Sequence, residues 1–377
     1  MNLEFHYYAT AALAIRAGFD PARALVIARS AQHVDQCIIA YELDDGEKTW
    51  RTEKTQDYVF WDESVLREIY LPFHFIPGEI EKARRARMDG EANPWIVTPD
   101  SPIARELLVR ALRSGDDFRV GIALHTYADT WAHQNFTGRL ERINDLGIRS
   151  PLPPAGHLQA LTSPDQAAEV WNDPRLFVPE VDNGQRFLEA AKMMYRFLRT
   201  SLRRNFDDEV LVLGELTEIW GRPSLDARAR AFDFTLRYDI EPWNSILWLS
   251  QAGISTRDES EERPIGYDKL LWLREEIRRR SGWGEGTKRN GAAEGNNTAS
   301  RDGTGQRMNT ASRDGIAQRI NTAKRINTAG RYAGSSLAQW NEAAAAHRRD
   351  ALGLIDASLG TSEQALEKKI LWHGDGT

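Results

Sequence analysis

The stretch VGIALHTYADTWAHQNF, residues 120–136, places His125, Asp129 and His133 at successive intervals of four residues. It lies within a helix that the apolar pattern predicts over 115–136. On a helix of 3.6 residues per turn, this spacing keeps the three side chains along one face, with a drift of roughly 40° per step. The same spacing also occurs where histidines face solvent or are hydrogen-bonded in a core, so alone it leaves both interpretations open.

The length of this run determines how many metal ions it can serve. Side chains at i and i+4 can chelate one ion, but His125 and His133 lie about 12 Å apart along the helix axis. Zinc–ligand bonds are only ~2.0–2.2 Å long. If all three side chains are ligands, we therefore expect Asp129 to bridge and more than one ion to bind.

An N-terminal helical hairpin brings two further candidate ligands together. Helices are predicted over 6–17 and 21–36, joined by the segment Gly18-Phe19-Asp20-Pro21. Glycine suits a helix C-cap, aspartate an N-cap and proline a first helical turn. Because so short a connection makes the helices antiparallel, His6 and Asp35 are expected near the same end. Taken alone, Asp35 would more readily be interpreted as a helix cap or as the partner of a nearby arginine.

The other histidines are less specific. His74, in LPFHFIPGE, lies between aromatic residues before a Pro-Gly break and is expected to be buried. His157 follows a glycine in a predicted loop, eight residues before Asp165, which suits either a metal site or an ordinary loop turn. His33 points to another part of its helix than Asp35 and is interpreted as structural.

The patterns along the chain predict an all-α fold, a mostly helical single domain. Alternation over 41–60 predicts one small β-hairpin around Asp45-Gly46. The expected organisation is a helical metal-binding domain at 1–283, a low-complexity insertion at 284–333, and C-terminal helices at 334–377 that pack on the main domain.

The predicted insertion contains a tandem repeat. NTASRDGTGQRM at 297–308 is followed by NTASRDGIAQRI at 309–320, and the shorter units NTAKRI and NTAGRY come next. The repeats contain almost no large apolar side chains, so they cannot bury enough surface to offset the entropy of ordering. We expect a disordered or loosely helical segment; a basic contact with nucleic acid or membrane is the alternative.

Composition restricts the classes of partner. The net charge of −6 provides no electrostatic footprint for tight binding to duplex nucleic acid. No apolar run approaches the ~20 residues that span a bilayer, and charged residues interrupt the apolar N-terminus as Glu4 and Arg16. The expected location is cytoplasmic.

Taken together, these residues are similar to an uncharacterised bacterial domain family, which in turn resembles the superfamily of zinc-dependent phospholipases C and single-strand-specific nucleases. The resemblance covers roughly residues 1–250. It rests on FHYYAT with AQHVD, PFHFIPGE, GIALHTYADTWAHQNFTG, and a GH pair with a later PD.

The resemblance implies a mostly helical protein that holds two or three zinc ions in a cleft. One ion would be held by His6 and Asp129, and its neighbour by Asp35, His74, His125 and Asp129. The third would be held by His133, His157 and Asp165. Two departures stand out: superfamily members usually carry a Glu where this chain has Leu161, and the secreted enzymes ligate zinc through a processed N-terminal Trp, whereas this chain begins Met-Asn.

The function that the resemblance implies is metal-assisted hydrolysis of a phosphoester, in the manner of a phospholipase C or a phosphodiesterase and nuclease. Asp35 would then be the general base, or the group that orients the attacking water. The competing hypothesis is a non-catalytic helical scaffold with structural metal ions, acting as an interaction module. A catalytic site keeps a coordination position open for water or substrate, whereas a structural site is saturated.

Overall fold

The computed structural model describes residues 1–44, 48–57, 62–147, 150, 152–222, 225–236, 240–254 and 324–372. These residues are mostly helical with short strand pieces, which confirms the predicted fold class. The helices in chain order are α1 (a π-helical segment Glu4–Ala9 that continues as Thr10–Ala17), α2 (Pro21–His33), α3 (Glu63–Val65, π-helical Leu66–Tyr70, then Leu71–Phe73), α4 (Ile80–Ala86), α5 (Pro102–Ser114), α6 (Asp117–Ala132), α7 (Asn183–Ser201), α8 (Glu209–Trp220), α9 (Leu225–Leu236), α10 (Leu247–Gln251) and α11 (Ser336–Trp372).

Short elements complete the described chain. Strands β1 (Tyr41–Asp44), β2 (Thr49–Arg51) and β5 (Lys324–Asn327) form one sheet in the order β2-β1-β5, and β3 (Val170–Asn172) pairs with β4 (Glu180–Asp182) in another. Single 3₁₀ turns at Arg142–Asn144, Leu158–Ala160 and Ser163–Asp165 interrupt the long connection between α6 and α7.

Helix α6 lies at the centre of the fold, in contact with α2, α5, α7 and α11. Its first turn is capped by Asp116, whose carboxylate accepts hydrogen bonds from the Phe118 and Arg119 amides. Nearly every residue from Val120 to Ala132 is buried, because helices pack around it on all sides. This position explains why the stretch quoted first is apolar or small between its polar residues.

The close packing of α2 on α6 depends on Gly121. A Cβ atom at this position would lie 2.2 Å from the Ile27 carbonyl oxygen and 2.5 Å from Ser30 Cβ. Glycine therefore allows α2 to approach α6 more closely than any other residue would, and α2 carries Asp35 just beyond its end.

The predicted helical hairpin is present with the predicted caps. Gly18 ends α1 with φ 104°, and the Asp20 carboxylate accepts a hydrogen bond from the Ala22 amide at the start of α2. Residues of α1 lie in the main core, where Phe5 packs against Phe187 and Trp220. The N-terminal stretch is therefore part of the folded domain.

The small β-hairpin is also present, since β1 pairs antiparallel with β2 and Leu43 lies opposite Trp50. Its turn, residues 45–47, lies outside the described residues. The parallel partner β5 was not predicted: residues 324–333, at the end of the predicted low-complexity insertion, form this strand and the turns that follow it. The rest of that predicted insertion, 284–323, lies outside the described residues.

Helix α11 packs against α3, α5 and α6. Arg119 of α6 forms an ion pair with Asp350 at 2.5 Å. His347 Nε2 lies 3.0 Å from the Pro72 carbonyl oxygen and 3.1 Å from Thr126 Oγ1, so α11 contacts both α3 and α6. Within the described helices, none combines the length and apolar character needed to cross a membrane.

We expect Gly121→Ala to destabilise the protein although alanine is the better helix former. The added Cβ would overlap the Ile27 carbonyl oxygen, and overpacking of this kind costs about 1–3 kcal/mol of unfolding free energy, measurable by urea denaturation. Gly214→Ala in α8 is the matched control, because a Cβ there meets nothing within 4 Å. The control should leave stability unchanged or raise it by up to about 1 kcal/mol. Equal effects at both positions would contradict the close approach.

Candidate metal centre

The eight candidate ligands are spread along the chain from His6 to Asp165, and the fold brings their side chains together. His6 lies in the π-helical start of α1, Asp35 follows α2, and His74 ends α3. Asp129 and His125 lie on α6, and His133 is its C-cap. His157 and Asp165 lie at the 3₁₀ turns of the long connection that follows.

These side chains form three groups that could each hold a metal ion, because the ligand atoms within each group lie within 4.8 Å of one another. They are the His6 group (His6, His125, Asp129), the Asp35 group (Asp35, His74, His125) and the His133 group (His133, His157, Asp165). Four ligands at ~2.1 Å around a tetrahedral zinc ion would lie about 3.4 Å from one another. Together, the three groups contain all eight candidate ligands.

The Asp129 carboxylate lies between the groups. Its Oδ1 is 3.1 Å from His6 Nε2, and its Oδ2 is 3.3 Å from both His74 Nδ1 and His125 Nε2. The two oxygens thus face different imidazoles, which is the arrangement of a bridging carboxylate. Burial would raise the pKa of Asp129, but the Met1 amine and the neighbouring imidazoles outweigh burial, and the pKa lies well below its usual value.

Backbone carbonyls orient three of the imidazoles. His74 Nε2 donates to the Thr55 carbonyl oxygen at 2.8 Å, His133 Nδ1 to the His74 carbonyl at 2.7 Å, and His157 Nδ1 to the Leu161 carbonyl at 3.0 Å. In a neutral imidazole, one nitrogen that donates leaves the other with a lone pair. Each ring therefore presents a lone pair to its group, as metal-binding histidines do.

Packing fixes the position of the His6 ring. It stacks on the ring of His125 with 3.8 Å between centroids; Nδ1 has no hydrogen-bond partner, and Nε2 faces Asp129 Oδ1 at 3.1 Å. Burial, together with the neighbouring His125 and Met1 amine, lowers the pKa of His6 to about 3, so the imidazole is neutral near pH 7. A buried neutral imidazole that faces a carboxylate has the chemistry of a metal ligand.

The Met1 amine lies between two carboxylates of different groups. It contacts Asp129 Oδ1 and is 3.4 Å from Asp165 Oδ1. Burial would lower the pKa of this amine, but Asp129, Asp165 and Asp35 outweigh burial and raise it. Sequence analysis compared Met1 with the zinc-ligating N-terminal Trp of the secreted enzymes, but it did not include Met1 among the site residues.

Asp35 differs from the other candidate ligands in its exposure. Its Oδ1 lies 3.9 Å from both His74 Nδ1 and His125 Nε2. Exposure of its side chain is 22%, whereas the other seven are less than one-tenth exposed. Burial would raise the pKa of Asp35, but His125, His6 and His74 outweigh burial and lower it. The carboxylate is thus ionised near neutral pH and is the group nearest to solvent.

The His133 group has a carboxylate despite the leucine at position 161. Asp165 Oδ1 is 3.2 Å from His133 Nε2, and Asp165 Oδ2 is 3.6 Å from His157 Nε2. Leu161 adopts a positive φ of 55° and contributes its carbonyl to His157 instead of a side chain to the group. The departure from the superfamily pattern therefore does not leave this group without an acidic ligand.

Packing around the His133 group depends on Phe75, another residue that sequence analysis did not single out. Its ring stacks on His133 with 4.5 Å between centroids. A Cβ at Gly138 would lie 2.7 Å from Phe75 Cβ, and one at Gly156 would lie 2.9 Å from Phe75 Cζ. The feature of the sequence that could have identified Phe75 is its position directly after the candidate ligand His74. His33, by contrast, packs against Trp248 and Trp340 away from the groups, in agreement with a structural role.

Comparisons with known proteins identify a family for the chain but no activity. No curated protein and no solved structure gives a significant match to the chain. One family model matches residues 1–355, a range that extends past the expected limit near 250 and includes the repeats and most of α11. The chain therefore belongs to DUF6765, a family of unknown function.

Proposed function

We propose that the chain is a metal-dependent phosphoester hydrolase that binds two or three zinc ions. The motifs that resemble the zinc-dependent phospholipase C and nuclease superfamily suggest this activity, and their residues converge in the His6, Asp35 and His133 groups. The observation that carries the proposal is the position of Asp129, with one oxygen toward His6 and the other toward His74 and His125.

The donor set supports zinc among the common metals. All of the candidate side chains offer imidazole nitrogen or carboxylate oxygen, a combination typical of zinc in hydrolases. Three orienting hydrogen bonds, and the neutral His6 ring facing the Asp129 carboxylate, are further features expected of a metal centre. Zinc bound there would supply Lewis acidity, both to activate water and to neutralise charge on a phosphoryl group.

Asp35 has the properties expected of the group that handles the attacking water. It is ionised near neutral pH, it is the most exposed of the eight candidates, and it faces His74 and His125. In the proposed reaction, this carboxylate accepts a hydrogen bond from the water and takes its proton as the water oxygen attacks phosphorus; the ester P–O bond breaks, and the leaving oxygen departs as an alcohol after it takes up a proton from solvent. The buried ligands behind it exclude bulk water and fix the position of the metal ions.

A structural metal centre in a helical scaffold is the second candidate function, and burial favours it. Seven of the eight side chains are less than one-tenth exposed, as in a site whose ions only stabilise the fold. The two candidates differ in what Asp35 does, because only catalysis requires a group that meets substrate.

Removal of the central carboxylate should remove most of the metal. Asp129→Asn keeps the size of the side chain but loses the negative charge that faces three histidines, so the metal-to-protein ratio should fall by more than half in elemental analysis after dialysis. His33→Gln is the control, since it replaces an equally buried histidine outside the three groups. Wild-type protein with less than about one ion per chain would exclude both candidate functions.

Asp35→Asn should separate metal binding from catalysis. We expect it to lower kcat by about 10²–10⁴-fold, the usual contribution of a general base. Most of the metal should be retained, because His74 and His125 keep the Asp129 carboxylate as their acidic neighbour. The assay uses wild-type protein loaded with zinc against a phosphodiester, a phosphomonoester and a phospholipid, with Glu189→Gln as a control at an exposed carboxylate far along the chain. If the metal-loaded wild type hydrolyses none of the three, the scaffold function is favoured instead.

A further inference from the structure

Strand β5 contacts the edge of β1 through a segment that belongs to the repeats. The two strands are parallel, with Leu43 opposite Ile326 and Asp44 opposite Asn327. Ile326 packs against the second core cluster, which contains Tyr41, Leu43 and Trp340. The edge of β1 and this cluster form the receptor surface for the segment.

The next residues of the segment each make a specific contact. The Thr328 amide donates to the Asp44 carbonyl oxygen at 3.0 Å, and the Thr328 side chain is fully buried. Asn327 Oδ1 accepts a hydrogen bond from the Ala329 amide at 2.8 Å, which closes a turn in which Ala329 has a φ of 50°. The sequence Arg-Ile-Asn-Thr-Ala at 325–329 therefore supplies a core side chain, a turn-closing side chain and a buried threonine.

The same pentapeptide occurs twice more in the chain. Arg-Ile-Asn-Thr-Ala stands at 319–323, and Arg-Met-Asn-Thr-Ala stands at 307–311. Methionine is the only difference, and it is a flexible apolar residue of similar size to isoleucine. Every side chain that docks at 326–329 thus has an equivalent in both upstream copies.

We propose that the β1 edge is a receptor for the Arg-[Ile/Met]-Asn-Thr-Ala segment, and that residues 319–323 occupy it as an alternative to 325–329. The exchange shifts the register by six residues and leaves the main-chain pairing pattern unchanged. A longer loop before α11 adds little closure entropy, because this cost grows only with the logarithm of length.

The residue after the pentapeptide favours the copy at 325–329. Gly330 follows it with a φ of 78°, a conformation that glycine adopts without strain. The equivalent residues are Lys324 after the middle copy and Ser312 after the first. The copy at 325–329 therefore gives the preferred register, and the two upstream copies differ from it chiefly in the residue that follows the pentapeptide.

A mutational series tests the exchange through its redundancy. Ile326→Asp alone should lower Tm only slightly, because residues 319–323 then replace the damaged copy. The triple variant Met308→Asp, Ile320→Asp and Ile326→Asp leaves no intact copy and should lower Tm by at least twice as much. Met308→Asp with Ile320→Asp is the control and should behave as the wild type, since the preferred copy is intact.

The outcomes of this series are decisive in both directions. A loss of Tm in Ile326→Asp equal to that of the triple variant means that the upstream copies do not dock. No loss in the triple variant means that the segment does not stabilise the sheet at all. Either result overturns the proposal.

Disulfide trapping in the full chain gives a second readout of register. In a Cys37→Ser background, Glu42→Cys should cross-link with Arg325→Cys, its registered partner, and also with Arg319→Cys, the equivalent residue one register away. Arg313→Cys is the control, because Arg313 lies in the repeat outside the pentapeptide. Cross-linking at 325 without cross-linking at 319, seen by mass spectrometry of linked peptides, contradicts the exchange.

Discussion

The fold depends on the burial of one carboxylate, that of Asp129 in the last turn of α6. A buried anion without partners is strongly destabilising, so the rest of the chain must supply cationic or polar groups around it. Met1, His6, His74 and His125 all lie within 3.3 Å of its oxygens. Helices α1, α3 and α6 are therefore held in place by electrostatics as well as by apolar packing.

Sequence predicted those parts of the site that local rules determine. Helical periodicity placed His125, Asp129 and His133 on one face, and the caps Gly18 and Asp20 located the turn that brings His6 near Asp35. Each of these inferences needs only the nearest few residues. The family resemblance was needed for His74, His157 and Asp165, because nothing local distinguishes a loop histidine that joins a group of candidate ligands from one that does not.

The features that sequence analysis missed depend on contacts between distant residues. The carbonyl groups of Thr55 and Leu161 orient two imidazoles, yet any residue offers a carbonyl, so no side-chain signal marks them. The pairing of β5 with β1 joins residues 324–327 to 41–44. It was not predicted, because residues 324–327 have few apolar side chains and no strand pattern of their own. A segment too polar to fold alone can still be ordered by a surface that packs against one isoleucine and buries one threonine.

Burial of the candidate ligands is compatible with the proposed catalytic role if the three groups have different functions. Deeply buried imidazoles and carboxylates bind a metal only in the folded state, so ion binding there adds directly to folding stability. Such a centre can still act on a substrate if one ion meets solvent on one side. Asp35, with its higher exposure, marks that side, since its neighbours His74 and His125 face the interior. The side chains that stabilise the fold would then also fix the reactive position relative to Asp35, and rigidity of this kind is what metal-assisted hydrolysis requires.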